Sequence, residues 1–406
     1  MPFESFQDLI TMLVVILVLQ VSLALLLIGV RKWRPTRYQR YPRISLPPTN
    51  DERHQFQLYM SGEELFPAML QAIESAQRLI LLETFIFKGD DLGHKFREAL
   101  LRKARNGVAV YVIIDGFANL VVPRKFKKFP PEIQLLSYPA FPRLSQIFDI
   151  GSYARDHRKL LVVDNEVAFI GGYNLGELYR TEWRDTHVQV RGPIVSNLAE
   201  MFASQWNRYR RRLTRLHIDL DLEWQSTVRV QRNDAGRLVF PIRSMYLDAI
   251  ERAERFVYIS NAYFIPDRAI LEALVMTARR GVDVRILVPA ESNHVLADWL
   301  ARHYFEFCLR HGIKIFLYEN AMIHAKTATI DGIWSTVGTA NLDRLSLAGN
   351  HEINLEIYNA AFAERMQEIF ACDMANAREL TLAEWIKRPW YTKAAELVLS
   401  PLWPIL

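Results

Sequence analysis

The sequence predicts an α/β protein of two similar halves carried behind one membrane-crossing helix. Three features lead there: a charge-free apolar run over residues 9–30, a helix-then-strand pattern that occurs twice, and a polar motif that occurs once in each copy. Half of the 406 residues are apolar and 12% are aromatic, a composition that packs a core rather than staying disordered. The net charge of +5 suits an anionic partner such as lipid headgroups without pointing to nucleic acid. Cys308 and Cys372 lie in amphipathic, helix-like stretches with no metal-binding spacing, so both read as reduced core thiols.

The apolar run, LITMLVVILVLQVSLALLLIGV, has 22 residues, enough to cross a hydrocarbon core of about 30 Å at 1.5 Å per residue. Glu4 and Asp8 precede it, and Arg31, Lys32, Arg34, Arg37, Arg40 and Arg43 follow. That bias places the downstream side in the cytoplasm, and basic residues after the run argue against a cleaved signal peptide. A proline-rich basic tether completes the anchor. The expected layout is a tail over 1–8, the membrane helix over 9–30, a linker over 31–50, a first half over 51–225, a second half over 226–385 and an interfacial segment over 386–406.

The repeat comes next. Ala72-Ile-Glu-Ser-Ala-Gln-Arg78 precedes LILLETFIF, and Ala249-Ile-Glu-Arg-Ala-Glu-Arg255 precedes FVYISNAYFIP. Both read as an amphipathic helix followed by a buried strand. Residues 96–116 and 271–290 then read helix, glycine stop at Gly107 or Gly281, and strand. Strands alternating with helices predict a mainly parallel, buried sheet in each half.

The motif carries the chemistry. His157, Lys159 and Asp164 in the first half are matched by His324, Lys326 and Asp331 in the second. Asn174 and Asn341 follow, then Asp185 and Glu352, and every one of these pairs is 167 residues apart. Alternate residues of a strand share a face, so each His and Lys project together. A buried lysine is costly unless an anion neutralises it. Two such pairs make a pocket suited to a phosphodiester: Lys and Asn for the non-bridging oxygens, one His for proton transfer and the other as a nucleophile. The set requires no metal and no cofactor.

Through this duplicated motif, residues 55–385 resemble the phospholipase D superfamily. The stretches LLETFIF, WRDTHVQVRGPIV, SNAYFIP and TVGTANLDRLSLAGNHEINL are most similar to bacterial cardiolipin synthases, especially the shorter B type. Thr339 departs from the serine more usual there. The resemblance implies two α-β-α sandwiches related by a pseudo-two-fold axis with the site on that axis. It implies His157 as nucleophile through a phosphatidyl-histidine, and His324 as the acid and then the base. It also implies that each His is held by the acid of the opposite half, His157 by Glu352 and His324 by Asp185. Asp164 and Asp331 are expected to be structural.

Four more residues are candidates for substrate binding. Asn261 and Tyr263 follow the second-half strand VYIS, at the strand end where α/β sheets bind ligands, and Tyr153 and Arg155 precede the first motif. The basic stretch 208–215 reads as a solvated helix face. His187, His294, His303, His311 and His351 have no counterpart in the other half and read as surface or packing residues. The Trp- and Leu-rich carboxyl end suits the membrane interface.

Taken together, the anchor and the resemblance imply transfer of a phosphatidyl group from one phosphatidylglycerol to another at a bacterial inner membrane, with phosphatidylethanolamine as a second candidate donor. Hydrolysis to phosphatidic acid is the main alternative and a tethered nuclease a lesser one; no nucleic-acid partner is expected. The sequence leaves any accessory protein unknown.

Overall fold

A computed structural model describes residues 6–33, 40–146, 148–210, 213–218, 227–399 and 401. Arg34, Arg37, most of the amino-terminal tail, part of the 208–215 stretch, the expected boundary at 225/226 and the last residues lie outside that set.

Each half is one mixed sheet between helices. In the first, strands lie in the order Gln55–Ser61, Trp183–Arg191, Val167–Gly171, Leu160–Val163, Leu79–Thr84, Ala109–Asp115, Gln134–Tyr138, with Thr49–Asn50 on the outer edge. The second repeats it: Val228–Asn233, Glu352–Tyr358, Trp334–Gly338, Lys326–Ile330, Phe256–Asn261, Asp283–Pro289, Lys314–Tyr318, with Ala377–Leu380 on the opposite edge. Within each of these seven-strand series only the last three strands run parallel to one another.

This corrects the mainly parallel sheet expected from helix–strand alternation. The motif strands turn back on themselves as hairpins. Asp164 and Asn165 sit at φ 53° and 60°, and Asp331 and Gly332 at φ 54° and 73°. Two successive left-handed residues reverse a right-twisted strand into an antiparallel neighbour. Asp, Asn and Gly tolerate that backbone best.

Alternating residues of the strands feed two layers. Ile80 and Leu82 pack under the helices Gly62–Ser75 and Asp91–Arg105, while Leu81 faces the helix Ile194–Tyr209. The helices Asp91–Arg105 and Arg268–Arg279 begin on Asp90 and Asp267, whose carboxylates accept a backbone N–H from Gly93 and Ile270. Both are followed by the expected glycines, Gly107 at φ 88° and Gly281 at φ 91°.

The halves share a core. Val188, Val190 and Ile170 of the first sheet pack with Val337, Ile353 and Leu355 of the second, and Phe56 meets Phe362 edge-on at 5.2 Å. The strands Trp334–Gly338 and Glu352–Tyr358 thereby lie against Val167–Gly171 of the first sheet.

The amino-terminal helix runs Phe6–Trp33, and within it Val14–Trp33 is long and apolar enough to cross a membrane. Leu23 and Leu27 rest against the second-half core, and Gln20 donates its amide to the Val398 carbonyl at 3.0 Å. The carboxyl-terminal helix Trp390–Leu399 therefore lies beside it, with Trp390 and Tyr391 exposed.

Candidate active site

Each motif histidine stands just ahead of its hairpin, where the chain crosses to the other half. The His157 N–H donates to the His351 carbonyl at 3.0 Å, and the His324 N–H to the Arg184 carbonyl at 2.7 Å. These carbonyls belong to the residues just before Glu352 and Asp185. The backbone bond thus sets each imidazole beside the acid from the opposite half: His157 Nδ1 lies 3.0 Å from both Glu352 oxygens, and His324 Nδ1 lies 2.7 Å from Asp185 Oδ2.

The lysines converge from below. Lys159 Nζ donates to the His157 carbonyl at 2.6 Å, and Lys326 Nζ to the His324 carbonyl. Both are buried. Burial pulls Lys159 down to about 7 and Lys326 down to about 8 against the pull of Glu352 and Asp185. Each histidine feels both lysines, and burial followed by those cations holds both imidazoles well below their usual range. The same burial raises Glu352 to about 8 and raises Asp185.

The asparagines complete the set. Asn174 Oδ1 accepts the Ile86 N–H at 3.1 Å, which orients its amide group, and the buried Asn341 oxygen has no hydrogen-bond partner among the described residues. Aromatic rings wall the imidazoles: Phe85 lies 4.7 Å from His157, and Trp183 lies 4.8 Å from His324.

The two aspartates of the motif face away from this centre. Asp164 accepts the N–H groups of Gln77, Arg78 and Leu79 at 2.7–2.8 Å, and Asp331 those of Glu254, Arg255 and Phe256 at 2.8–2.9 Å. Each pins the start of a central strand to the hairpin turn.

Among the substrate-binding candidates, Tyr263 has its ring 6.1 Å from His324 and its hydroxyl donating to Asn293 Oδ1 at 2.6 Å. Asn261 supports the backbone, its oxygen accepting from Tyr263 and Leu342 N–H. Arg155 spends its guanidinium on the Pro139 and Ala140 carbonyls and the face of Phe117, and Tyr153 is half exposed at the rim.

Other histidines sort by surroundings. His187 is buried and accepts the Tyr173 N–H, as Asn354 accepts that of Ala340 in the second half, and His351 is buried between Tyr138 and Tyr209. His294 lies closer to the centre than its sequence suggests, its ring 5.5 Å from Tyr263. Its position just after the strand Asp283–Pro289 was the available signal. Within the basic stretch the helix Ile194–Tyr209 ends, Arg208 and Arg215 are exposed, and Arg208 pairs with Asp234 at 3.0 Å.

One cluster escaped the sequence reading. Arg158 is buried between Glu83 at 2.8 Å and Asp156 at 3.0 Å, directly under His157. Burial pushes Glu83 well above the carboxylate range, and Arg158 holds Asp156 below it despite its burial. The second half places Ile323 and Ala325 at the positions of Asp156 and Arg158.

Residues 69–206 and 246–374 match the family described as "Cardiolipin synthase, PLD-like domain". The chain is 32% identical over 382 residues to a cardiolipin synthase of Clostridium perfringens, covering 88% of this chain and 78% of that one. It is also 32% identical over 356 residues to the major cardiolipin synthase of Bacillus subtilis, covering 85% and 74%. In fold it is similar to the phosphatidylserine synthase of Haemophilus influenzae, with a TM-score of 0.67, 13% identity, and 90% and 95% of the two chains covered.

Proposed function

Because the chain belongs to the phospholipase D-like cardiolipin synthase family, we propose that it makes cardiolipin by moving a phosphatidyl group from one phosphatidylglycerol to the hydroxyl of a second. It is a phosphatidyltransferase that works on membrane phospholipids. The observation that carries the catalytic assignment is the crossed pairing of each imidazole with the carboxylate of the other half.

In this reading the Glu352 contact keeps a proton on His157 Nδ1 and leaves the Nε2 lone pair free. Nε2 attacks phosphorus, the bond to glycerol oxygen breaks, and His324 delivers a proton to that oxygen. The acceptor hydroxyl then gives its proton back to His324 and bonds to phosphorus as the phosphorus–nitrogen bond breaks. His324 ends the cycle protonated, as it began. Lys159, Lys326, Asn174 and Asn341 hold the non-bridging oxygens. The entering phosphodiester offsets the two lysines, and this restores the basicity that burial beside them denies the histidines. Asp164 and Asp331 act only through the backbone. Phosphatidylethanolamine is an alternative donor with ethanolamine leaving.

The amino-terminal helix holds this site at a bilayer, and the basic residues after it favour a catalytic unit on the cytoplasmic side of a bacterial inner membrane. The test is lipid mass spectrometry on phosphatidylglycerol vesicles with the wild-type chain and His157→Ala, with glycerol release followed in parallel. Cardiolipin from the wild type alone supports the reading. Phosphatidic acid without cardiolipin overturns the transfer step and makes the enzyme a hydrolase.

A further inference from the structure

The first half carries an apolar rim that no described residue covers. Phe117, Leu120 and Val121 follow the strand Ala109–Asp115, and Phe141, Leu144 and Phe148 follow Gln134–Tyr138. Phe148 is 98% exposed, Leu144 88% and Val121 77%. Scattered apolar residues on a surface mean little, but here six large ones lie on two loops joined by the Phe117–Phe141 ring contact at 6.0 Å. Arg124, Lys125, Lys128 and Arg143 are exposed on the same two segments. An apolar crest flanked by cations has the composition of a surface that enters an anionic bilayer.

The rim sits at the mouth of the site. Arg155, two residues before His157, reaches over the Phe117 ring at 5.4 Å and holds the Pro139 and Ala140 carbonyls at the base of the second loop. The pseudo-symmetric region of the second half also meets the membrane element. There the connection after Asp283–Pro289 forms the helix Val295–Arg310, which packs on the amino-terminal helix. At the inner end of that helix Arg31 donates to the Ser292 carbonyl at 2.8 Å and pairs with Glu291 and Asp298. The adjoining Asn293 receives the hydroxyl of Tyr263, whose ring flanks His324. One side of the mouth is therefore tied to the membrane helix, and the corresponding place on the other side is exposed and apolar.

We propose that the loops carrying Phe117, Leu120, Val121, Phe141, Leu144 and Phe148 insert into the anionic leaflet facing the catalytic unit, so that a phospholipid passes from bilayer to site without its acyl chains crossing water. The proposal rests on the reading of the substrate as a bilayer phospholipid. It goes beyond that reading by naming the surface through which the lipid arrives. The membrane helix fixes the protein to the bilayer; the rim fixes the mouth against it.

The experiment uses the full chain in phosphatidylglycerol vesicles, where the helix alone keeps every variant on the membrane. The triple variant Val121→Ser, Leu144→Ser, Phe148→Ser changes three of the most exposed residues of the rim and leaves Phe117 and Arg155 in place. Cardiolipin formation from the bilayer should fall about tenfold, while turnover of short-chain phosphatidylglycerol in detergent stays within about twofold. Equal rates from both lipid forms, or an equal loss in both, overturn the proposal. Depth is read separately. A polarity-sensitive fluorophore on Phe148→Cys, in a Cys372→Ser background, should be quenched by acyl-brominated phosphatidylglycerol, and one on Arg268→Cys should not. Absence of quenching at 148 overturns insertion whatever product forms. Phosphatidic acid as the sole product of the wild type defeats the transfer reading and leaves the quenching contrast intact.

Discussion

The two half-sites share His, Lys and Asn, the crossed acid and the hairpin pin, and differ in what lies around each imidazole. His157 stands on a buried cluster of one guanidinium and two carboxyls, where His324 has Ile323 and Ala325 nearby. Glu352 is held by the Thr339 hydroxyl at 2.5 Å, whereas the matching position before Asp185 is Gly172, and Asp185 takes the Thr186 N–H at 2.7 Å. The His157 side chain is 13% exposed and that of His324 is 5%. The duplicated chain repeats the motif groups and varies their neighbours. Two copies of one group in different settings can take different roles, as the proposed nucleophile and acid do.

The sharpest way to break that comparison is to remove each histidine. His157→Ala and His324→Ala should each lower cardiolipin formation by about 10³-fold or more. A donor with an activated leaving group, such as a p-nitrophenyl phosphodiester, needs no acid. On it His324→Ala should still release a burst of nitrophenol in rapid-mixing kinetics, and His157→Ala should not. A burst from both, or from neither, removes the division of roles.

The supporting acids come next. Glu352→Gln or Asp185→Asn leaves shape intact but removes the carboxyl group that fixes the tautomer, and a loss of about 10²–10⁴-fold in kcat is expected from either. Gly172→Ala tests the same contact by sterics, since a Cβ there would lie 2.2 Å from Asp185 Oδ1. Steady-state rates should fall by about 10–100-fold as Asp185 is driven off His324. Across the axis Thr339→Ala should cost only about three- to tenfold and Thr339→Ser almost nothing, because the hydroxyl makes a single bond to Glu352 and serine retains it.

The smallest effect is in pH. The lysines of the empty site are charged below their lowered values, Lys159 about 7 and Lys326 about 8, and lose charge as pH rises through them. Attraction for the phosphodiester is thus full in mild acid and fades above neutrality, so kcat/KM should decline between about pH 7 and 8. The bound phosphate keeps the lysines charged, so this limb should be weaker in kcat. Lys159→Arg should move the limb in kcat/KM upward, because a guanidinium stays charged.

Much of this was legible in the chain. The motif pair, its constant spacing and the glycine stops follow from residues that occur twice, and repetition separates signal from chance, while the crossing of the acids is what the family resemblance implies. Sheet direction was misread because helix–strand alternation was weighed above turn chemistry. Asp331-Gly332 between two apolar strands is a hairpin signal, and Asp164-Asn165 is its weaker copy. The Arg158 cluster could not be read, because Glu83 joins it from a strand 75 residues earlier and the second half has no equivalent to draw attention to it. Tyr153 and Arg155 were placed near the site by sequence adjacency, yet Arg155 is bound to carbonyls and a ring. Adjacency brings a residue to the mouth without saying which way its bonds run.

The crossed pairing also sets an order of events during synthesis. His157 and Glu352 are separated by 195 residues of chain. A ribosome adding about 5–20 residues per second takes roughly 10–40 seconds to cover that stretch. For most of that interval the nascent chain carries His157 with neither Lys326 nor Glu352 yet made. Under the proposed mechanism the half-made chain lacks the acid that orients its nucleophile, and that acid arrives only with the strand that begins at Glu352.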